Sequence, residues 1–188
     1  GFLKVVLLLV FSFTTDMFAH CDSMEGPVVK AAIKSLETGN INYVFIWIPE
    51  NDEPELRRLF DKVLRNRDLN TEVRELTETY FYETVVRIHR MGEGVGYTGL
   101  KPASFKPEDG IEAADVAIEK NSVGEILTHL KEDQHLKVKE LFDDLQQKKN
   151  FNTDDIIKGR EFVAAYVHFI HFVEEQYSDE NHEVKSCH

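Results

Sequence analysis

The chain has 188 residues, 34 Asp and Glu against 22 Lys and Arg, and a formal charge of −12. At 42% hydrophobic and 11% aromatic it can bury a core, which excludes an acidic disordered tail. The acidic balance argues against nucleic acid, whose phosphates need a Lys/Arg surplus, and against electrostatic binding to anionic lipid.

Residues 1–19 read as a secretory signal peptide. Lys4 precedes the apolar run Val5 to Phe13, which is shorter than the roughly 20 residues of a spanning helix and suits the apolar part of a signal. Cleavage is expected after Ala19, with lipoprotein processing before Cys21 as the alternative. The expected destination is periplasmic or extracellular, where thiols can oxidise. Lys4 and Asp16 cancel, so the mature charge stays at −12. The mature chain would begin His20-Cys21-Asp22, with an α-amine, an imidazole and a thiol within one reach. An α-amine titrates near about 7.7–8.0, so a metal displaces its proton at low cost.

Apolar residues then recur at helical spacing nearly throughout. Pro27 opens a helix to about Leu36, and Gly39 breaks it. Residues 41–47 read as a short helix stopped by Pro49, although the run Tyr43 to Ile48 also fits a strand. Further helices are expected over 54–65, 71–90 (capped by Thr71), 110–119, 123–130, 136–147 and 153–177 (capped by Thr153). The tail 178–188 is polar and expected to be flexible.

An offset of 82 residues aligns 22–90 with 104–172 without a gap. Leu59-Phe60-Asp61 meets Leu141-Phe142-Asp143, Asn70-Thr71 meets Asn152-Thr153, and Ile88-His89 meets Ile170-His171. This predicts an all-α bundle of two tandem repeats about a pseudo-two-fold axis, joined by residues 91–103, in one domain over 20–177. The last helix, apolar nearly all round over Phe162 to Val173, is expected at the buried centre.

His89 and His171 take equivalent places in the two repeats. Helical spacing puts both among apolar residues, with His168 beside His171. Such surroundings favour neutral imidazole, the form that binds metal. Two hydrogen-bonded core histidines would read the same way. Glu83 and Arg87 stand at i and i+4, which suits an ion pair; Glu83 could instead support a site or handle a proton. The glycine-rich linker around Tyr97 lacks a phosphate-loop pattern and suits a turn-rich lid anchored by Tyr97. Cys21 and Cys187 could form one disulfide, and His182 and His188 lie beside Cys187 in the tail.

The runs His20 to Val29, Glu83 to Arg90 and Tyr97 to Pro102 resemble a family of uncharacterised secreted bacterial proteins, a domain of unknown function. The resemblance covers nearly the whole mature chain and implies no activity. The mature His-Cys-Asp start is also similar to nickel superoxide dismutase, a helical bundle. That resemblance would make His20 and Cys21 ligands, but Glu25 stands where the hook's second Cys would fall. The expectation is a secreted metal-binding protein, redox-active or not, with His20, Cys21, His89 and His171 as ligands and Glu83, Arg87 and His168 around them. Such donors favour copper, nickel or zinc. The alternative is a non-catalytic binding or scaffolding module with an apolar groove for a peptide or small ligand. No hydrolase motif is present, and whether the protein is an enzyme stays open.

Overall fold

Gly26 and Pro27 open the first helix, α1 (Pro27–Thr38), with proline at the position where its missing N–H costs nothing. The helix ends at Gly39, whose φ of 70° is left-handed. The computed structural model describes residues 20–186, with side chains to residue 178. The proposed signal peptide, Cys187 and His188, and the side chain of His182, lie outside this range.

A short α2 (Asn42–Phe45) follows, so the ambiguous run before Pro49 is a helical turn rather than a strand. A 3-10 turn, Glu50–Asp52, leads into α3 (Glu53–Asn66). The long α4 (Thr71–Gly92) is capped by Asn70, whose side-chain oxygen accepts from the Val73 N–H at 2.9 Å. The cap is therefore one residue earlier than Thr71, because the extended backbone of Asn70 lets its oxygen reach the first turn.

The second series is α5 (Asp109–Lys120), α6 (Gly124–His129), a 3-10 turn Glu132–Gln134, α7 (His135–Lys148) and α8 (Ile156–Ser186). The α8 start falls three residues beyond the expected Thr153. Asp155 Oδ1 accepts from the Lys158 N–H, while Asn152 Oδ1 holds the preceding turn through the Asp154 N–H. The helix also continues past Tyr177 to Ser186, over a stretch that includes the good helix formers Glu and Lys. Among the described residues there is no strand, only an isolated bridge between Ser23 and Lys101.

Helices α1 and α3 pack on α4, and α5 and α7 pack on α8. Phe45, Phe81, Phe169, Leu56, Ile126 and Leu145 are among the fully buried core residues. The segment 46–49 reaches from α4 to α8. Ile46 lies so close to Gly159 that a Cβ there would stand 2.3 Å from Ile46 Cγ2. Arg160 on α8 donates to the carbonyls of Phe45 and Ile48 and to Glu53 Oε1. The Trp47 ring meets His89 and Tyr166 edge-on, with centroids 6.0 and 5.7 Å away. The apolar α8 is not buried all round: Val163 and Val167 are half-buried and Ala164 is exposed, because a cleft runs along that face.

The N-terminal segment is held by the linker. Met24 N–H donates to Lys101 O at 3.0 Å, and Lys101 N–H donates to Asp22 O at 2.8 Å. Tyr97 packs on the core from this linker, which therefore runs beside the site. A Cβ at Gly26 would lie 2.1 Å from His20 O, so glycine is what lets the His20 turn close against α1.

Candidate functional site

His20, Cys21, Glu93 and His171 line one cavity of about 20 Å3, closed by Ile111, Tyr166, Val167 and Ile170. That is room for a single water or ion. Three of the four metal-ligand candidates are thus brought together, although they come from the N-terminal segment and α8. The fourth, His89, faces the same Glu93 from α4: its Nε2 lies 3.5 Å from Glu93 Oε1.

The histidines are held by their other nitrogens or neighbours. His89 is 3% exposed, and its Nδ1 lies 2.8 Å from Trp47 O. A carbonyl only accepts, so Nδ1 carries the proton and Nε2 is left as a lone pair in the neutral ring. No hydrogen-bond partner meets that Nε2 among the described residues. His20 Nε2 lies 2.7 Å from Asp115 Oδ2, and Tyr166 O–H donates to Asp115 Oδ1 at 3.1 Å. His171 is half-buried; burial lowers its pKa and His168 adds to the effect, while Glu93 opposes it.

A buried charge cluster lies beneath. Arg90 is 2% exposed and stands between Asp22, at 3.5 Å, and Glu93, at 3.6 Å. Among the described residues neither Asp22 oxygen has a hydrogen-bond partner, and burial pushes that carboxyl up to about 6 despite Arg90. Burial, then the charges of Glu93 and Asp22, hold the Cys21 thiol well above its ordinary range. The thiol is therefore protonated at neutral pH, and any metal there must displace a proton.

The other predicted residues stand apart. Glu83 is on the exposed face of α4, and Arg87 reaches across to Glu55 Oε1 at 3.3 Å. The expected helix-surface pair yields to this contact because α3 packs against that side of α4. His168 is exposed and lies on the rim of the α8 cleft. Among the described residues, no three His, Cys, Asp or Glu donors stand in a ready-made metal arrangement.

Asp22, Arg90, Glu93, Asp115 and Tyr166 escaped the sequence reading. Glu93 carried a signal, since it follows His89 by four residues and a helix that runs on through Gly92 puts the two on one face. Asp115 and Tyr166 lie on different helices, and no spacing announces their contact with His20.

The chain belongs to a family of unknown function, DUF6448, which matches residues 25–172. No curated protein and no solved structure matches it. Among the described residues, no helix is long and apolar enough to cross a membrane.

Proposed function

We propose that the chain is a secreted helical protein, cleaved after Ala19, that holds one copper, nickel or zinc ion where the His20–Cys21 segment meets α4 and α8. The observation that carries this reading is the pair His89 and Glu93. Two ligands on a tetrahedral ion with bonds of about 2.1 Å are separated by about 3.4 Å. The His89 Nε2 to Glu93 Oε1 separation is 3.5 Å, and the nitrogen has no hydrogen bond among the described residues. The carbonyl behind His89 and the carboxylate behind His20 are the supports that metal-binding histidines commonly have. Cys21 and His171 line the adjoining cavity as further donors.

The two halves are read as a duplication about a pseudo-two-fold axis. Its support is spacing: α1 and α5, α3 and α7, and the two 3-10 turns each begin 82 residues apart. The duplication would supply the two equivalent histidines, while the N-terminal segment and Glu93 would make the site single.

The test is titration of copper, nickel and zinc into the protein purified from a periplasm, with N-terminal sequencing alongside. The reading expects a start at His20 and one equivalent bound. His89→Ala and Glu93→Gln should each weaken binding by about 10–100-fold or more while leaving the helical circular dichroism unchanged. Wild-type protein that ignores all three metals, or variants that bind as well as wild type, would overturn it.

A further inference from the structure

Six large apolar side chains are exposed among the described residues, and three of them fall within residues 69–80. Leu69 stands in the turn before α4 and is 69% exposed, while Leu76 and Tyr80 on α4 are 72% and 58% exposed. Val73, one turn before Leu76, is half-buried. Residues 73, 76 and 80 are spaced i, i+3 and i+7, so they form one stripe on the helix, with the spacing of paired helices. The corresponding corner of the other half is covered. Phe151 and Phe162, 82 residues beyond Leu69 and Tyr80, pack on each other at 5.6 Å and on the core. There the 46–49 segment brings Ile46 against Gly159. Nothing among the described residues does the same for Leu76 and Tyr80.

The stripe is complementary to itself. In two antiparallel helices each step forward on one is a step back on the other. If Val73 meets the partner's Leu76, a two-fold axis repeats the contact as Leu76 on the partner's Val73. The same register sets Leu69 against the partner's Tyr80, and Tyr80 against the partner's Leu69. All four apolar residues are thereby covered. On the flank Glu72 meets the partner's Thr79, so no like charges face each other there. A parallel pair fails on charge. It stacks Glu83 on the partner's Glu83 and Arg87 on the partner's Arg87, since both residues continue the stripe, and like charges so placed are costly. In the antiparallel register these two run past the start of the partner's α4.

We propose that the exposed stripe of α4 pairs with the same stripe of a second copy of this chain, the two helices antiparallel about a two-fold axis. The pairing does not depend on the metal-binding reading above. Residues 69–80 make about three turns, too short to bury the roughly 800 Å2 per partner of a standard interface. The pair therefore forms at high micromolar concentration and falls apart on dilution.

The experiment is sedimentation equilibrium of the purified full chain from about 10 μM to about 1 mM. A reversible monomer–dimer equilibrium is expected. Leu76→Arg puts two cations at the middle of the contact and should weaken dimerisation by about tenfold or more. Leu136→Arg, at a 69% exposed apolar site on α7, should leave it unchanged. Thr79→Lys, facing the partner's Glu72, should tighten the dimer by about twofold or more, and Thr79→Glu should weaken it by a similar factor. All three positions are exposed, so the helical circular dichroism should stay as in wild type. A chain that stays monomeric at the highest concentration would overturn the pairing. So would dimers that ignore Leu76→Arg or that lose as much through Leu136→Arg. Thr79 variants with the reverse signs would overturn the antiparallel register. A monomer that instead sediments with phosphatidylglycerol vesicles, and loses this with Leu76→Arg, would make the stripe a lipid contact and overturn the proposal.

Discussion

Asp115 accepts from Tyr166 O–H and contacts His20 Nε2 in the same carboxylate. In the neutral ring that contact would put the proton on Nε2 and leave Nδ1 as the lone pair, the nitrogen the proposed site would use. Asp115→Asn keeps the size but removes the charge. It should cost about 10–100-fold in metal affinity by calorimetric titration, with only a small change in thermal stability. Glu174, one turn beyond His171 on α8, gives a separate test of stability. It is 2% exposed, neither oxygen has a hydrogen bond among the described residues, and burial, with Glu108 adding, raises its carboxyl from 4.5 to about 7. The folded state thus holds a proton that the unfolded state releases. Its contribution to stability is most favourable below pH 4.5, falls as pH rises to about 7, and is flat above. Glu174→Gln should abolish that slope and stabilise the protein by about 1–2 kcal/mol near pH 8, after discounting for solvent screening. Urea midpoints at acid and alkaline pH check both the sign and the window.

The wedge of residues 46–49 between α4 and α8 depends on a bare backbone at Gly159. A methyl group there meets Ile46 at 2.3 Å and Phe151 at 3.0 Å. Gly159→Ala should cost about 1–3 kcal/mol as overpacking, read as a lower melting temperature. It should also weaken metal binding, because the displaced segment carries the Trp47 carbonyl that holds His89. Asn70→Ala should cost about 1 kcal/mol through the lost α4 cap and leave the site untouched. Comparing the two variants separates the wedge from general loss of stability. The helices with clear punctuation were legible in the sequence: Pro27 and Gly39 bracket α1, and Pro54 opens α3. The run Tyr43 to Ile48 was ambiguous because an unbroken apolar stretch suits either a buried strand or a buried turn. Tertiary contact with Ile46 and Trp47 decided it. The caps moved because Asn70 and Asp155, rather than the neighbouring threonines, adopt positions from which a side chain reaches the first turn.

At the scale of the whole molecule, the fold joins two helical halves around a polar seam. His20, Cys21 and His171 could be chosen by residue type, and the sequence placed His89 beside them by its match to His171. Glu93, Asp115 and Tyr166 could not be chosen, since a contact between separate helices leaves no period in the sequence. A single ion binding only the folded form should raise stability by about 2.7 kcal/mol at a hundredfold excess over Kd, seen as a melting temperature that climbs with metal concentration. On the proposed reading, His89 and Glu93 face each other to share a cation. Anomalous diffraction from crystals grown with zinc tests it most directly. One strong peak is expected about 2.1 Å from both His89 Nε2 and a Glu93 oxygen. A well-ordered site without that peak, the imidazole and carboxylate joined by a proton alone, would contradict it.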